Sequence, residues 1–366
     1  MSAEKVYRAI GTMSGTSLDG IDVALIETDG REMIRPLVFS SYPYAQRERD
    51  AIYAALGSST PTEDVKTAED VVTRTHVMAL KLFMKEFNLT PDQVDVIGFH
   101  GQTIFHDPEN HFTWQIGDSA EIAQRIGINV VGDFRKSDMA HGGHGAPLLP
   151  LYHKVMLAGR EHPIAVLNIG GVSNVTYIGA SEDDLRAFDC GPGNALLDDF
   201  IRLRTGEPYD EGGALSASGI VDEDLLREWM SHEFFSKKGP KSLDRDEWDV
   251  KKVYQLGDAD GAATLAAFTV AGIVHAAELL PQKPKVWLVC GGGRHNHHLM
   301  DRLGDALDTL VHNIDELGIN GDAVEAQGFA YYAARHLLQL PVTFPGTTGV
   351  DAPCGAGVLY RAGGII

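Results

Sequence analysis

The sequence predicts an α/β protein built from two similar halves. Strand-like runs alternate with longer helix-like segments, a pattern typical of α/β proteins with parallel or mixed sheets. Each half also contains two apolar runs joined by a turn rich in small residues. The chain has 366 residues, and a usual domain holds roughly 150. Its length therefore agrees with two lobes.

In the first half, the runs 6–15 and 21–30 predict two strands around a tight turn. Residues 68–87 carry apolar side chains at helical spacing and predict a helix. A further strand is predicted at 94–101, and the glycine-rich residues 132–150 predict an irregular stretch. The first half is therefore expected to bring one strand-turn-strand unit, a third strand and a long helix together.

The second half repeats this order of elements and therefore predicts a weak internal repeat. The predicted strands are 164–171, 172–179, 186–194 and 286–293, and helices are predicted at 195–204 and 298–310. We expect the break between the halves to fall within residues 132–163. Domain I is predicted to comprise 1–134 and 345–366, and domain II to comprise 135–344.

Composition limits the class of partner. The chain has 31 Lys and Arg against 51 Asp and Glu, a net charge of −20, which repels nucleic acid and anionic lipid. A small-molecule substrate is expected instead. The cysteines are scattered without CxxC spacing, so neither a disulfide framework nor a thiolate zinc site is predicted; they are Cys190, Cys290 and Cys354. No secretory signal pattern and no long apolar run is evident, so a reducing, cytoplasmic location is expected.

The turn GTMSGTSLDGID (11–22) combines glycines, hydroxyls and two carboxylates between apolar strands. Glycines let backbone N–H groups approach phosphate oxygens, hydroxyls add donors, and a carboxylate can position Mg²⁺ or its waters. The pattern is not a Walker A loop, and an ordinary hairpin turn is the plainer interpretation. The predicted phosphate-binding residues are Gly15, Thr16, Ser17, Leu18, Asp19, Gly20, Ile21 and Asp22, with Asp19 holding Mg²⁺ through water.

Two further glycine turns make the phosphate interpretation more specific. The segment NIGGVSN (168–174) is a second strand-turn-strand unit, and CGGGR (290–294) is a third glycine-rich strand end. Their predicted nucleotide contacts are Gly170, Gly171, Asn174, Gly291, Gly292 and Gly293. Two hairpin turns clamping a triphosphate, with a third loop near the nucleoside, are the layout of the actin and hexokinase-like ATPase fold. We therefore expect this duplicated, ribonuclease H-like fold, with an interlobe cleft and ATP as substrate.

With these residues in view, the chain resembles the anhydro-N-acetylmuramic acid kinase family along nearly its full length. The matching stretches are GTMSGTSLDGID (11–22), GFHGQTIFH (98–106), WQIGD (114–118), VVGDFR (130–135), GGHGAPLLP (142–150), LNIGGVSN (167–174), FDCGPGN (188–194), VCGGGRHN (289–296) and VEAQGFAYYA (324–333). Cys190 departs from the Thr that we expect more often in the family. The adjacent Asp189 is retained, so this departure puts little in doubt.

The resemblance implies a reaction. The family opens the 1,6-anhydro bridge of 1,6-anhydro-N-acetylmuramic acid with water and phosphorylates the freed O6 from ATP, giving N-acetylmuramic acid 6-phosphate in cell-wall recycling. It places Asp189 as the base that activates water. A carboxylate suits this role because it accepts a proton while favouring an oxocarbenium-like centre. The plainer interpretation of Asp189 is an Asp that closes a turn after a strand.

The resemblance also implies a sugar site. Its predicted residues are Ser14, His100, Gln102, Thr103, Asp133, Arg135, Asn194 and Glu325. Without the resemblance, residues 100–103 are equally well interpreted as a loop that caps its own backbone. Asp133 and Arg135 could equally form a buried ion pair. Glu325 could be a charge that stabilises a helix dipole. A homodimer is implied as well. Domain I would carry the first phosphate turn and part of the sugar site, and domain II the second turn, Asp189 and the nucleoside site.

Other polar clusters receive no role. The histidines His141, His144, His295, His297 and His298 invite a zinc hypothesis, but acidic or thiolate ligands at a standard spacing are absent. Mg²⁺ held by ATP and Asp19 is the expected metal. The charged stretch 240–248, which contains Lys241 and Asp244, predicts a solvated surface loop.

Two other functions remain open from the residues. One is a kinase for a plain hydroxyl of another sugar on the same fold. The other is a non-enzymatic, actin-like or chaperone-like nucleotide switch, which would hydrolyse ATP slowly without sugar.

Overall fold

The computed structural model describes residues 5–15, 17–181, 184–243 and 247–363. The chain forms two compact units, Met1–Ala158 with Ala323–Ile366, and Gly159–Asp322. The first division lies within the window 132–163 in which the break was expected. Both divisions differ from the domain limits expected after residue 134 and before residue 345.

Helix packing explains why the chain up to residue 158 belongs to the first unit. Tyr152 Oη donates a 2.6 Å hydrogen bond to Gln327 Oε1, and Tyr332 Oη donates a 2.5 Å bond to Leu148 O. These bonds tie residues 148–152 to the helix that contains Gln327 and Tyr332. Because such bonds are buried, this part of the chain follows that helix into the first unit.

The strands are apolar segments bounded by turns, and the sequence predicted the main ones. In chain order they are β1 (Tyr7–Ser14), β2 (Gly20–Thr28), β3 (Ile34–Pro43), β4 (Val96–Asp107), β5 (Phe112–Ile116), β6 (Val130–Gly132), β7 (Ile164–Ile169), β8 (Val172–Ile178), β9 (Leu185–Pro192), β10 (Val286–Cys290), β11 (Leu310–Asn313) and β12 (Val358–Tyr360). Predicted strands at 6–15, 21–30, 94–101, 164–171, 172–179, 186–194 and 286–293 are confirmed, with shifted ends.

The helices are, in chain order, α1 (Gln46–Tyr53), α2 (Glu63–Glu86), α3 (Ser119–Ile126), α4 (Phe134–Met139), α5 (Pro150–Met156), α6 (Ala195–Thr205), α7 (Ala214–Ser218), α8 (Glu223–Met230), α9 (Glu233–Ser236), α10 (Asp258–Glu278), α11 (His297–Leu307) and α12 (Val324–Leu337). Short 3-10 helices span Pro91–Gln93, Glu211–Gly213, Lys251–Gln255, Gly292–His295 and Ile314–Leu317. The helix predicted at 68–87 is α2, which starts earlier because Thr62 Oγ1 accepts from Val65 N at 3.2 Å and caps its first turn.

The two units share one strand order. In the first, within the described residues, the sheet runs β12-β6-β4-β1-β2-β3 with β5 on β4; in the second it runs β11-β10-β7-β8-β9. Each contains an antiparallel meander, β1-β2-β3 or β7-β8-β9, whose first strand pairs in parallel with β4 or β10. The shared order confirms the predicted repeat and the actin and hexokinase-like fold class.

Close helix packing fixes the sheet of the first unit. Helix α12 packs on β1, β2 and β4, and a Cβ at Gly11 would lie 1.8 Å from Ala326 O. At Gly98 it would lie 2.1 Å from Phe329 O. Only glycine permits this approach of backbone to helix, so Gly11 and Gly98 let α12 pack closely on β1 and β4.

Helix α10 lies in the core of the second unit. Of the helices in the described residues, it alone is long and apolar enough to cross a membrane, and 72% of its most apolar stretch is buried. Its side chains Phe268 and Ile273 are fully buried in that core. The apolar composition is therefore that of a core helix.

Candidate active site

The first glycine turn joins β1 to β2. The last paired residues are Met13 and Asp22, so the turn is long. Leu18 adopts a φ of 56°, and its N–H donates to Gly15 O at 3.2 Å. Thr16, a predicted phosphate contact, lies outside the described residues.

Two polar side chains of this turn face solvent. Ser17 and Asp19 are exposed; Asp19 Oδ1 accepts from Ser17 Oγ at 2.8 Å and from Gly20 N at 3.1 Å. In the described part of the chain, Asp19 Oδ2 has no hydrogen-bond partner. An oriented carboxylate with one unoccupied oxygen fits a water of hydrated Mg²⁺.

Three predicted residues of this turn, Leu18, Gly20 and Ile21, offer only main-chain atoms. The side chains of Leu18 and Ile21 are buried in the core of the first unit. Gly20 packs closely, since an added Cβ would lie 2.7 Å from Tyr42 O. Asp22 is half-buried within β2. By contrast, the one atom of the described, non-adjacent residues within 4 Å of an added Cβ at Gly15 is Ser17 Oγ, at 3.5 Å.

A chain of buried side chains supports this turn. Gln102 Nε2 donates to Gly15 O at 3.2 Å, and Ser14 Oγ donates to Gln102 Oε1 at 2.5 Å. A hydroxyl carries one proton, so Tyr44 Oη must be the donor in its 2.8 Å contact with Ser14 Oγ. Burial raises the pKa of Tyr44 and keeps the phenol protonated. Tyr44 was missed by the sequence analysis, because no local pattern links it to a turn 30 residues away.

Arg135 and His100 form a second polar pair in the first unit. Arg135 Nε donates to His100 Nε2 at 2.8 Å, and an Arg135 guanidinium N–H donates to Gly145 O at 2.7 Å. His100 therefore carries its proton on Nδ1, which donates to Gly101 O at 2.8 Å. Burial, and then the charge of Arg135, lower the pKa of His100 well below its ordinary value. The imidazole is neutral, and the guanidinium charge is retained beside it.

Asp133 orients the helix that carries Arg135. It adopts a φ of 55° before α4, and its carboxylate accepts from Tyr360 Oη at 2.5 Å and pairs with Lys136 Nζ at 2.7 Å. The bonds hold a strained turn in place. Thr103, another predicted sugar contact, accepts from Gln115 Nε2 at 3.2 Å between β4 and β5.

Glu325 lies at the start of α12 and is half-buried. Its carboxylate has no hydrogen-bond partner within the described residues. Burial raises its pKa, Arg135 opposes this shift, and Asp19 adds to it. A carboxyl group that is desolvated without a protein partner is a candidate for ligand binding.

In the second unit, main-chain bonds hold the glycine turn between β7 and β8. Gly193 N donates to Gly171 O at 3.0 Å, and Asn194 N donates to Gly170 O at 2.7 Å. The side chain of Asn194 adds a bond from Nδ2 to Ile169 O at 3.1 Å. Asn194, predicted as a sugar contact, thus also shapes the turn.

The third glycine turn packs on the second. A Cβ at Gly291 would lie 2.3 Å from Asn168 Oδ1, and one at Gly293 would lie 2.4 Å from Ile169 Cγ2. At Gly292 the nearest atom, Asn194 Nδ2, would be 3.7 Å away. Gly291 and Gly293 are therefore required for packing, whereas Gly292 leaves room for a ligand.

Arg294 anchors this third turn. Its side chain is 1% exposed and pairs with Asp315 at 2.9 Å and Asp322 at 2.8 Å. It also donates to Gly291 O at 3.0 Å. Because these partners come from distant parts of the chain, the sequence analysis assigned no role to Arg294.

Asp189 lies near the end of β9, next to these turns in the second unit. It is 5% exposed, and it pairs across the sheet with Asn174. Its N–H donates to Lys241 O at 2.9 Å, and its Oδ2 accepts from Leu243 N at 2.8 Å. Ser173 Oγ lies 3.1 Å from Gly191 O and 3.0 Å from Pro192 O, shares its one proton between them and holds the strand end. The structure thus presents Asp189 as an oriented carboxylate.

The segment that contacts Asp189 corrects one expectation. The charged stretch 240–248 predicted a solvated loop, but Lys241 is 4% exposed and Leu243 is 8% exposed. The apolar Leu243 and Trp248 pack into the core of the second unit, so burial of these side chains outweighs the charge of their neighbours. Asp244 lies outside the described residues.

The described residues contain no cluster of three or more His, Cys, Asp or Glu side chains that could hold a metal ion. His141, His295 and His297 are exposed.

The comparison with known proteins decides the family. The family model described as anhydro-N-acetylmuramic acid kinase matches residues 7–362. The chain belongs to the anhydro-N-acetylmuramic acid kinase family. It is 47% identical to the enzyme of that name from Zymomonas mobilis, over 96% of this chain and 99% of the relative. It is 48% identical to the one from Rhizorhabdus wittichii, over 96% and 98%.

Among solved structures, the chain is similar to the activator of the 2-hydroxyisocaproyl-CoA dehydratase from Clostridium difficile. Identity is 12%, the match covers 90% of this chain and 95% of that one, and the TM-score is 0.45. The assignment to the anhydro-N-acetylmuramic acid kinase family rests on the sequence matches. These confirm the resemblance predicted from the motifs, and with it a sugar kinase that uses ATP.

Proposed function

We propose that this chain uses ATP to convert 1,6-anhydro-N-acetylmuramic acid and water to N-acetylmuramic acid 6-phosphate and ADP. This reaction would return a cell-wall sugar to metabolism. The observation that carries the proposal is the buried Asp189 carboxylate, held by a main-chain N–H in the same unit as two glycine turns. The name of the family specifies the sugar.

ATP would be held by main-chain donors of three turns. In the first unit these include Gly15 and Ser17, and in the second they include Gly170, Gly171 and Gly292. The glycines leave space for phosphate oxygens to approach the backbone. Asp19 Oδ2 would accept a hydrogen bond from a water of Mg²⁺, and the metal would neutralise charge on the phosphates.

Each unit offers polar groups suited to sugar recognition. In the first unit, Arg135 supplies a cation suited to the lactyl carboxylate, and neutral His100 keeps it oriented. Glu325 would accept a bond from a sugar hydroxyl or amide. In the second unit, Asn194 Oδ1, which has no partner in the described part of the chain, would accept from another sugar hydroxyl.

The chemistry follows from an oriented carboxylate beside a bound triphosphate. Asp189 takes a proton from water as the water oxygen bonds to C1 and the C1–O6 bond breaks. The electron pair left on O6 bonds to the γ-phosphorus, and the bond from phosphorus to the ADP oxygen breaks. Phosphoryl transfer thus replaces protonation of the leaving oxygen. The proton on Asp189 then passes to solvent.

A coupled ADP-release assay tests this function. We expect turnover with 1,6-anhydro-N-acetylmuramic acid, and one solvent oxygen at C1 of the product formed in ¹⁸O-water. Activity confined to N-acetylmuramic acid or N-acetylglucosamine would contradict the proposal and favour a kinase of an unbridged sugar. ADP release that is independent of every sugar would favour a nucleotide switch.

We also propose a magnesium requirement, a homodimer and a cytoplasmic location. Loss of turnover with EDTA and its return with Mg²⁺ would support the first. Light scattering of the purified protein measures the second, and fractionation of the producing cells tests the third.

A further inference from the structure

Residues 239–243 run along the edge of β9 opposite to β8. Asp189 is paired with Asn174 of β8 on one side, and on the other its N–H donates to Lys241 O at 2.9 Å. Two residues later, Leu243 N donates to Asp189 Oδ2 at 2.8 Å. This segment therefore determines both the main-chain position and the side-chain orientation of Asp189.

The segment is anchored at both ends. A Cβ at Gly239 would lie 2.5 Å from Cδ1 of Phe188, the residue before Asp189, so the backbone packs directly on that ring. At the other end, Leu243 belongs to the core of the second unit. A shift of the segment would therefore move Phe188 and Leu243 as well as the bond to Asp189.

Between these anchors lies a buried ammonium group. Lys241 Nζ donates to Phe234 O at 3.1 Å, and it lies 4.0 Å from the centroid of the Phe234 ring and 6.0 Å from that of Phe188. Burial lowers the pKa of Lys241 to about 8, and the nearby Cys190 and Asp189 oppose this shift. An apolar side chain would fill this space without desolvating a charge, so packing alone does not explain a lysine here.

We propose that Lys241 is a positioning residue for the Asp189 carboxylate. Its carbonyl holds the main chain of Asp189, and its ammonium, fixed on Phe234, holds the segment from which Leu243 N–H binds Oδ2. The positive charge also favours the ionised carboxylate, which is the form that accepts a proton from water. This inference rests on the proposed function, in which Asp189 is the base.

The test compares Lys241→Met, Lys241→Gln and the control Lys238→Met. Methionine keeps most of the length and removes the charge, and glutamine keeps a donor for Phe234 O without the charge. Lys238 is an exposed lysine directly before the segment. Steady-state kinetics with the anhydro sugar give kcat and KM, calorimetry gives the Kd of a non-hydrolysable ATP analogue, and thermal unfolding gives stability.

For Lys241→Met we expect kcat to fall roughly tenfold to hundredfold, the effect of a small misplacement of a catalytic group. KM and the Kd of the analogue should stay within about twofold, because the turns that bind phosphate keep their own hydrogen bonds. Lys241→Gln should show the same split with a smaller loss. Lys238→Met should match the wild type.

Three outcomes would overturn the inference. The first is a folded Lys241 variant with wild-type kcat. The second is a variant in which kcat and affinity for the ATP analogue fall in proportion. The third is failure of both variants to fold, which would make Lys241 a stability residue alone. The wild-type assay separates this inference from the proposed function. No turnover of the anhydro sugar overturns the function, whereas turnover that needs Asp189 but not Lys241 overturns only the positioning role.

Discussion

The two hairpin turns occupy the same place in the shared strand order but are held in different ways. The β1–β2 turn is long, with Met13 and Asp22 as its last paired residues. Side chains from elsewhere, Gln102 and through it Tyr44, support it. The β7–β8 turn is short, and Ile169 pairs with Ser173 across it.

The short turn is fixed by backbone atoms. Gly193 and Asn194 donate their N–H groups to its two glycine carbonyls. A long turn needs side chains to restrict its conformations, whereas a short one is restricted by backbone bonds and by the lack of space. Loss of a polar side chain should therefore weaken the first turn, whereas an added side-chain atom should weaken the second.

The largest expected difference between the two units is in catalysis, because we assign the catalytic base to the second unit. Asp189→Asn removes the proposed base and keeps the shape, so turnover should fall by about 10²- to 10⁴-fold. The Kd of an ATP analogue should change by less than about twofold. ADP-release kinetics and calorimetry measure the two. The control Asp224→Asn, at an exposed carboxylate, should change neither turnover nor Kd. Retained turnover in Asp189→Asn would contradict the assignment of Asp189 as the base.

Added volume should damage the second turn. A Cβ at Gly193 would lie 2.2 Å from Gly170 O, a backbone atom that cannot rotate away, so Gly193→Ala should destabilise the protein by about 1–3 kcal/mol. Displacing that carbonyl should also weaken binding of an ATP analogue by about tenfold. Urea unfolding and calorimetry test this.

The matched control is Gly304→Ala, for which nothing lies within 4 Å of the added atom. It lies inside α11, so alanine should stabilise by up to about 1 kcal/mol. Equal effects at the two glycines would contradict the packing argument for the second turn.

Loss of a polar group should damage the first turn. Tyr44→Phe removes the donor to Ser14 Oγ. Ser14 Oγ keeps its own bond to Gln102 Oε1, so the loss of one buried hydrogen bond should cost about 0.5–1.5 kcal/mol of stability. Looser support of Gly15 should raise the KM for ATP several-fold. Tyr53, which is 64% exposed, is the control, and Tyr53→Phe should change neither quantity. Wild-type KM in Tyr44→Phe would show that the turn holds itself.

The smallest effect is expected at Glu325, where function and stability should oppose each other. A raised pKa means that the folded state binds the proton more tightly than the unfolded state. This group therefore stabilises the fold at low pH, and that contribution is lost as pH rises through the folded pKa.

Glu325→Gln should thus stabilise the protein at pH 8 by roughly 0.5–1 kcal/mol, and the gain should shrink as pH falls toward 4. The KM for the sugar should rise, because an acceptor is lost. Urea unfolding at several pH values checks the stability, and a pH-independent gain would contradict the proposed cause.

Local patterns in the sequence determined the main elements. Apolar runs ending in glycine turns located β1, β2, β4 and β7 to β10, because strand periodicity and turn chemistry are properties of neighbouring residues. The motifs also determined the family, which the sequence matches confirm. Asp19 and Gly292 lie on these turns, and their nucleotide contacts remain predictions.

Only the tertiary structure decided which residues support those turns. Tyr44, Arg294 and Lys241 each have partners that are distant in the chain, so no local spacing marks them. A charged stretch such as 240–248 predicts exposure. Lys241 is nevertheless buried, because Leu243 and Trp248 of the same stretch pack in the core. The sequence by itself thus determined the turns and the candidate base. Long-range packing decided how each is held, since the free energy of a buried contact depends on partners brought together only by folding.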